Sequence, residues 1–311
     1  MASSRTPLVS VVIPTYNRAH LLGRSISSVL GQTHEDLEVV VVDDGSTDQT
    51  ADELAAVTDP RVRIVPLTTN QGQCRARNEG IAVARGRYVA FCDSDDEWLP
   101  TKLQKQLATF GGDESPGASY TGMWIDDGTE RSVHIADVEG RAFDRLLALA
   151  GAITTSGIVV DRSVAGDELY FDESLGCSEE RDLLIRVSRS HVIARVAEPL
   201  YVRYLHDGPH VAEMLGFARA WTMLLEKYKD DFDRRPHAAA YVHFRIALIL
   251  HKSRDRSGAR REISAASMLD PSDRRLRAMR YLSRLGDKGA SIGISAYIGA
   301  SKIRNARPAV S

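Results

Sequence analysis

Three aspartates lie within one four-residue stretch, directly after an apolar run. Asp93, Asp95 and Asp96 follow residues 88–92 (Tyr-Val-Ala-Phe-Cys), which have the composition of a short buried strand. Carboxylates this close repel one another unless a cation or hydrogen-bond donors offset their charge. A hard divalent ion that also contacts a diphosphate would offset it. The residues alone leave two hypotheses for this turn, a cation site and a solvated acidic turn.

Apolar strands alternate with amphipathic helices before this turn. We predict strands over 9–13, 37–42, 62–65 and 88–92, and helices over 17–31, 46–57 and 71–85. Asn17 is expected to cap the first of these helices, and residues 46–49 (Ser-Thr-Asp-Gln) to form a capping box for the second. The alternation predicts an α/β protein with a mostly parallel sheet, flanking helices and right-handed crossovers.

The pattern is less regular after Pro100. We predict helices over 101–110 and 142–150 and from Ser178, with strands over 118–125 and 156–161. From about residue 211 strands disappear, and four or more helices are expected. Their breaks are placed near Pro236, Gly258, Pro271 and Gly286. We therefore predict an α/β domain over 1–210 and a helical domain over 211–311.

Length and composition limit the class of protein. The chain has 311 residues, 43% of them hydrophobic and 26% charged, which is typical of a soluble globular protein with one large and one smaller domain. No window approaches the run of about 18 apolar residues that a spanning helix needs. A secretory signal pattern is also missing. The three cysteines, at 74, 92 and 177, match neither a disulfide framework nor a CxxC metal site, so we expect a cytoplasmic protein.

The net charge of −2 conceals an uneven distribution. Residues 252–307 contain 14 Lys or Arg and five Asp or Glu, a balance of +9, so the remainder carries −11. Anionic lipid and nucleic acid both attract a basic segment, and of the two we expect lipid, with peripheral attachment to the inner face of a membrane. A helical bundle with solvated basic faces is an equal alternative.

Several familiar nucleotide and hydrolase motifs are missing from the sequence. GxGxxG does not follow the first strand, and GxxxxGK[ST], GxSxG and HExxH do not occur. Polar residues instead follow three predicted strands, at 15–18, 43–46 and 93–96. Because parallel strands end at one edge of a sheet, where ligands bind, we predict a nucleotide site there. One acidic segment would bond a base and ribose, and another would hold a metal under the phosphates.

Four motifs, in this order and spacing, resemble those of the family 2 glycosyltransferases with the GT-A fold. They are 11–18 (VVIPTYNR), 42–48 (VDDGSTD), 70–72 (NQG) with 76–80 (ARNEG), and 93–96 (DSDD). The resemblance covers about residues 7–210. It implies inverting transfer of a sugar from a nucleotide-diphosphate sugar, most simply a UDP-sugar, to an acceptor hydroxyl. It also implies Mg²⁺ or Mn²⁺ as cofactor and a role in glycan, polysaccharide or glycolipid synthesis.

The resemblance also implies which residues line the donor site. The nucleotide-binding set is Pro14, Thr15, Tyr16, Asn17, Arg18, Asp43, Asp44, Gly72, Arg77, Asp93 and Ser94. Asp43 is expected to bond a uracil imide N–H, with turn capping as the alternative for Asp43 and Asp44. Arg77 is expected near the diphosphate, or else on a helix surface. Asp95 is the first choice as metal ligand, with Asp93 toward the ribose or a metal-bound water.

The second half of the chain supplies the expected base. Residues 179–183 read Glu-Glu-Arg-Asp-Leu where the family has Glu-Asp-x-Asp-Leu, whose second acid deprotonates the acceptor. Glu180 is therefore the expected base, and it departs from the family by one methylene. Helical spacing places Glu180 toward the apolar face and pairs Asp182 with Arg186. Glu179 and Asp182 are alternative bases, and a dipole-stabilised acid at the helix start is the competing interpretation of Glu180.

Other roles and other classes of protein stay open at this stage. His206 is a candidate for contact with the metal or diphosphate, His210 competes with it, and a structural role is as good an interpretation. The sequence would also fit a sugar-nucleotide-binding protein that has lost catalysis, because Glu180 stands where the family has an aspartate as base. A nucleotidyltransferase is disfavoured because residues 14–17 (Pro-Thr-Tyr-Asn) are not a glycine-rich basic loop. Nothing matched in the sequence identifies the sugar, the acceptor (a saccharide, a lipid-linked compound or another hydroxyl compound) or the oligomeric state.

Overall fold

The computed structural model describes residues 6–111, 115–205 and 211–305. These residues form two compact units. One contains the described residues of 6–146 and 150–205, and the other contains 147–149 and 211–305. Within the described residues, every strand belongs to the first unit, and the second is built from helices.

One mixed sheet forms the centre of the α/β unit. Its strands are β1 (Val9–Thr15), β2 (Leu37–Asp43), β3 (Val62–Pro66), β4 (Tyr88–Phe91), β5 (Glu97–Trp98), β6 (Ala118–Asp126), β7 (Arg131–His134), β8 (Ile158–Asp161) and β9 (Ile193–Tyr204). Their order is β3-β2-β1-β4-β8-β6-β9-β5, and β7 pairs with β6. The first four strands are parallel, whereas β8 runs antiparallel to both β4 and β6. The predicted α/β class is confirmed, and the sheet is parallel over β3-β2-β1-β4 and again between β6 and β9.

In the described part of this unit, seven α-helices connect the strands. They are α1 (Ala19–Leu30), α2 (Thr50–Ala55), α3 (Gln73–Val83), α4 (Lys102–Ala108), α5 (Phe143–Leu147), α6 (Arg162–Ala165) and α7 (Glu179–Ser188). The apolar side of α1, with Leu22, Ile26 and Val29, packs into the same core as the inward side chains of β1 and β2. The 3–4 spacing of these residues is what predicted the helix.

Both predicted helix caps are wrong. Helix α1 begins after Arg18 without a side-chain cap, and α2 begins at Thr50 rather than at Ser46. Asn17 has a positive φ of 52°, and its side-chain oxygen accepts hydrogen bonds from the backbone N–H groups of Thr47 and Asp48 (2.8 and 3.3 Å). These polar residues therefore bind the loops after β1 and β2 to each other instead of capping helices.

In the helical unit, a break between helices lies near each of the four predicted residues. The main helices of this unit are α8 (Val211–Lys227), α9 (Lys229–Asp233), α10 (Pro236–Lys252), α11 (Arg256–Leu269), α12 (Arg274–Ser283) and α13 (Asp287–Asn305). The break predicted near Gly258 lies at residues 253–255, and Gly258 itself lies in the first turn of α11. Its backbone N–H donates to the N-cap residue Asp255 (2.8 Å). In the parts of the chain that the structure describes, no helix combines the length and hydropathy that crossing a bilayer requires.

A glycine brings α3 against the central strand. All seven residues of β1 are buried. A Cβ atom on Gly80 would lie 2.3 Å from the Val12 Cγ1 atom, closer than side chains can approach. Because Gly80 has no side chain, α3 packs directly on β1. This contact fixes the position of the helix that carries Gln73 and Arg77.

Replacing Gly80 tests this packing. We expect Gly80→Ala to lower the free energy of unfolding of the α/β unit by about 1–3 kcal/mol, because Val12 must shift. Gly23→Ala is the matched control, since Gly23 is exposed in α1 and has no atom within 4 Å of its Cβ position. That change is expected to stabilise by about 0.5–1 kcal/mol through helix propensity. Urea unfolding followed by circular dichroism measures both variants, and a Gly80→Ala protein as stable as wild type would refute the contact.

Candidate active site

The carboxyl ends of three parallel strands lie at one edge of the sheet. The register pairs Thr15 of β1 with Asp43 of β2, and Val12 of β1 with Phe91 of β4. The segments 15–18, 43–46 and 93–96 are therefore neighbours. This is the edge at which ligands bind in open α/β sheets.

Thr15 and Asp43 offer hydrogen-bonding groups at this edge. The Thr15 hydroxyl is buried and has no hydrogen-bond partner in the described chain. Asp43 is also buried, and one carboxylate oxygen accepts from the Ser46 N–H (3.0 Å). Buried polar groups without partners are costly, so an unpaired hydroxyl beside a carboxylate is a place for a polar ligand. Of the flanking predicted residues, Pro14 is buried in β1 and Tyr16 and Arg18 are exposed.

Asp44 has a structural role that differs from the predicted alternative of turn capping around Gly45. Its two carboxylate oxygens accept from the backbone N–H groups of Gln71 and Gly72, both at 2.8 Å. Gly72 has a φ of 91°, in the region that favours glycine, and it directly precedes α3. Asp44 therefore holds the start of α3 at the end of β2.

The acidic turn brings three carboxylates close together. Asp93 and Asp95 are half-buried, while Ser94 and Asp96 are buried. Burial, together with the charges of Asp93 and Asp95, holds the pKa of Asp96 well above its usual value. The Asp93 N–H donates to the Ser156 hydroxyl (2.9 Å), which fixes the first residue of the turn. The carboxylates of Asp93 and Asp95 thus reach solvent beside a third acid.

These residues fit a divalent ion that takes further ligands from outside the protein. Within 6–111, 115–205 and 211–305, no group of three or more His, Cys, Asp or Glu side chains could hold a metal ion. Mg²⁺ in nucleotide sites commonly uses one or two carboxylates, with phosphate and water oxygens completing the coordination. Asp93 and Asp95 supply that number of hard oxygen ligands. His206 and His210 lie outside the described residues.

A polar stripe on α1 holds the backbone around this turn. An Arg24 guanidinium N–H donates to the Asp95 carbonyl oxygen (2.8 Å), and the Trp98 N–H donates to the Ser28 hydroxyl (3.0 Å). Gln32 bonds to backbone groups at the start of α4. Arg24 and Ser28 are four residues apart and lie on one side of α1, and Gln32 continues the same interval two residues after the helix ends. Sequence reasoning missed them, although this interval was visible.

Arg24 also contacts the end of β9. Its guanidinium carbon lies 3.7 Å from the centroid of the Tyr204 ring. The Tyr204 hydroxyl donates to the Glu97 carboxylate (2.6 Å). The acidic turn is therefore held from both α1 and the last strand, so the position of Asp95 does not depend on the turn alone.

Arg77 connects the acidic turn to α7. Its guanidinium is 2% exposed and contacts the carboxylates of Asp93 and Glu179, each at 2.7 Å. It also lies 5.2 Å from the centroid of the Phe171 ring. Burial works against its charge, but the two carboxylates outweigh burial and raise the pKa of Arg77. Since both terminal nitrogens bond carboxylates, Arg77 would reach a diphosphate only through Asp93.

Two of the three acids at the start of α7 are paired with basic or polar side chains of the protein. Glu179 is buried and accepts hydrogen bonds from Gln73 and Arg77, both at 2.7 Å. Asp182 is fully buried and pairs with Arg186 (2.9 Å), as its spacing predicts. Neither carboxylate is therefore open to an incoming hydroxyl.

Glu180 differs from both neighbours. It is half-buried, and it has no ion-pair partner among the residues that the structure describes. Burial and, next, the charge of Glu179 raise the pKa of Glu180 to about 7. A carboxylate with such a pKa can accept a proton at neutral pH. The helix begins after Ser178, whose positive φ of 59° is a strained backbone conformation of the kind that clusters at functional sites.

Comparison with known proteins gives the family of the α/β unit. Residues 10–160 match the family model described as "Glycosyl transferase family 2". The putative teichuronic acid biosynthesis glycosyltransferase TuaG of Bacillus subtilis (strain 168) is 40% identical over 166 residues, 51% of this chain and 64% of TuaG. The Escherichia coli protein WfgD is 41% identical over 101 residues, 32% of this chain and 40% of its own. The chain thus spans less than two thirds of either relative.

The fold comparison covers nearly the whole chain. The structure of S. aureus TarS 1–349 in complex with UDP-GlcNAc superposes with a TM-score of 0.67 at 19% identity, over 94% of this chain and 92% of that one. At this identity the likeness concerns the fold, and it agrees with the mixed sheet, flanking helices and helical C-terminal region described above. By family match and by fold, the α/β unit of this chain belongs to glycosyl transferase family 2 and has the GT-A-type architecture.

Proposed function

We propose that this protein is a metal-dependent, inverting glycosyltransferase that moves a sugar from a UDP-sugar to an acceptor hydroxyl. The observation that carries the proposal is the unpaired, half-buried Glu180 with its raised pKa, connected to the acidic turn through Glu179, Arg77 and Asp93. WfgD bears the name of a glucosyltransferase that acts on a diphosphoundecaprenol-linked sugar, and TarS was solved with UDP-GlcNAc. These names favour a UDP-sugar donor and a lipid-linked saccharide acceptor in cell-envelope polysaccharide synthesis.

The donor would bind along the edge of the sheet. The Thr15 hydroxyl and the Asp43 carboxylate would bond the base and ribose, and the diphosphate would lie over the acidic turn. Asp93 and Asp95 would hold Mg²⁺ or Mn²⁺, which when bound offsets the charge of the leaving diphosphate. The stripe of α1 and the end of β9 keep Asp95 in position, and such fixed placement is the main catalytic contribution of a donor site.

Glu180 would act on the acceptor. Its carboxylate takes the proton as the acceptor hydroxyl oxygen attacks the anomeric carbon of the sugar. The bond from that carbon to the diphosphate oxygen breaks on the opposite side, and UDP leaves with the bonding electrons. A single displacement inverts the anomeric configuration. Arg77 holds Glu179 away from this role, so one acid of the three is available as base.

Glu180→Gln tests the assignment of the base. We expect UDP release from UDP-glucose or UDP-GlcNAc, whichever is the better substrate of the wild type, to fall about a hundredfold to ten-thousandfold. Calorimetric titration should show unchanged UDP affinity, because Glu180 is assigned to the acceptor. Glu173→Gln is the matched control, since Glu173 is an exposed glutamate just before α7. Wild-type turnover of Glu180→Gln would refute the base, and wild-type protein that binds UDP without turnover would indicate a binding protein.

The pH dependence gives an independent test of the same residue. Only the deprotonated carboxylate can act as base, and its pKa in the free protein is about 7. Thus kcat/KM should rise about tenfold per pH unit below that value and level off above it. Measuring initial rates across this range would show the inflection. A flat profile down to the ordinary pKa of glutamate would contradict the role of Glu180.

A further inference from the structure

One side of α12 carries arginines around a tyrosine. The residues at intervals of three, four and three, which share one side of a helix, are Arg274, Arg277, Tyr281 and Arg284. All four are exposed, and Tyr281 is 68% exposed. The opposite side of α12, with Leu276 and Met279, packs in the core of the helical unit. The outward side of α12 is therefore basic and carries one aromatic ring.

The positive charge on this side is not balanced locally. Residues 274–286 contain five arginines and no acid. Among the described residues, Arg275 is the one of these five with an acidic partner within 4 Å, namely Asp273 at 2.8 Å. The other four arginines are exposed, and no acidic side chain of the described residues lies within 4 Å of their guanidinium groups. Such a cluster attracts polyanions and anionic surfaces.

Two exposed aliphatic residues follow these arginines in the chain. Leu285 is 71% exposed and Ile292 is 62% exposed. A Cβ atom on Gly289 would lie 2.9 Å from the Leu285 Cβ atom, which places Leu285 against the first turn of α13. Ile292 lies three residues after Gly289, on the same side of α13. We call the set Arg274, Arg277, Tyr281, Arg284, Leu285 and Ile292 the α12–α13 basic face.

We propose that the α12–α13 basic face binds the surface of a membrane that contains anionic phospholipids. The arginines match the negative headgroups, and each basic residue near such a surface strengthens binding about fivefold at low salt. Tyrosine is favoured at the membrane–water interface, and aliphatic side chains gain by leaving water there. A nucleic acid would pair with the arginines but would leave Leu285 and Ile292 in water. The combination of charge and aliphatic exposure therefore selects lipid.

Sedimentation of the full chain with vesicles tests this proposal. The probes are vesicles of phosphatidylcholine alone and of phosphatidylcholine with phosphatidylglycerol, and we expect binding to the second kind that weakens as salt rises. The triple change Arg274→Gln, Arg277→Gln and Arg284→Gln should lower binding about a hundredfold at low salt. The matched control removes three exposed arginines before and within α11, by the changes Arg254→Gln, Arg256→Gln and Arg261→Gln. This control should lower vesicle binding far less.

A second variant tests the apolar residues. Tyr281→Ser, Leu285→Ser and Ile292→Ser together should reduce the vesicle binding that persists at high salt, with the circular dichroism spectrum unchanged. Equal losses in the two arginine triples would overturn the proposal, because net charge alone would then explain the binding. Tighter binding to a double-stranded DNA oligonucleotide than to vesicles would also overturn it, as would a dimer in sedimentation velocity that the serine variant abolishes.

Discussion

The buried guanidinium of Arg77 is the interaction on which the site depends. It joins Asp93, at the end of β4, to Glu179, at the start of α7, two residues 86 positions apart in the chain. Removing one partner from a buried ion pair typically costs about 3–5 kcal/mol, since the other charge is left unpaired. Arg77 is itself carried by α3, which Gly80 allows to pack directly on β1. The acidic turn and the helix of the proposed base are therefore parts of one buried network.

This network also determines which acids remain reactive. Arg77 neutralises Glu179 and part of the charge of Asp93, and Arg186 neutralises Asp182. Glu180 has no ion-pair partner in the described chain, and its neighbour Glu179 contributes to its raised pKa. The positions of Arg77 and Arg186 therefore decide the roles of these acids. The acids that they pair with hold the structure, and the unpaired Glu180 can exchange protons.

Local sequence patterns predicted the elements, and non-local contacts decided their details. Apolar runs that alternate with amphipathic helices predicted the first four strands. The carboxyl ends of β1, β2 and β4 could be placed at one edge of the sheet because parallel strands run in the same direction. The i, i+4 pair of Asp182 and Arg186 was predictable for the same local reason. The caps assigned to Asn17 and Ser46 failed because these residues bond across the loops after β1 and β2. The partners of Arg24 and Arg77 lie far away in sequence, so their roles required the fold.

The central claim is that the acidic turn binds a nucleotide diphosphate through a divalent ion. Calorimetric titration with UDP, with and without Mn²⁺, tests this claim most directly. The titration compares the wild type with Asp95→Ala and with a control variant, Asp52→Ala. Asp52 is an exposed acid of α2. The account predicts UDP binding that needs Mn²⁺, is lost in Asp95→Ala and is retained in Asp52→Ala. UDP binding of equal strength without the metal, or in Asp95→Ala, would contradict it.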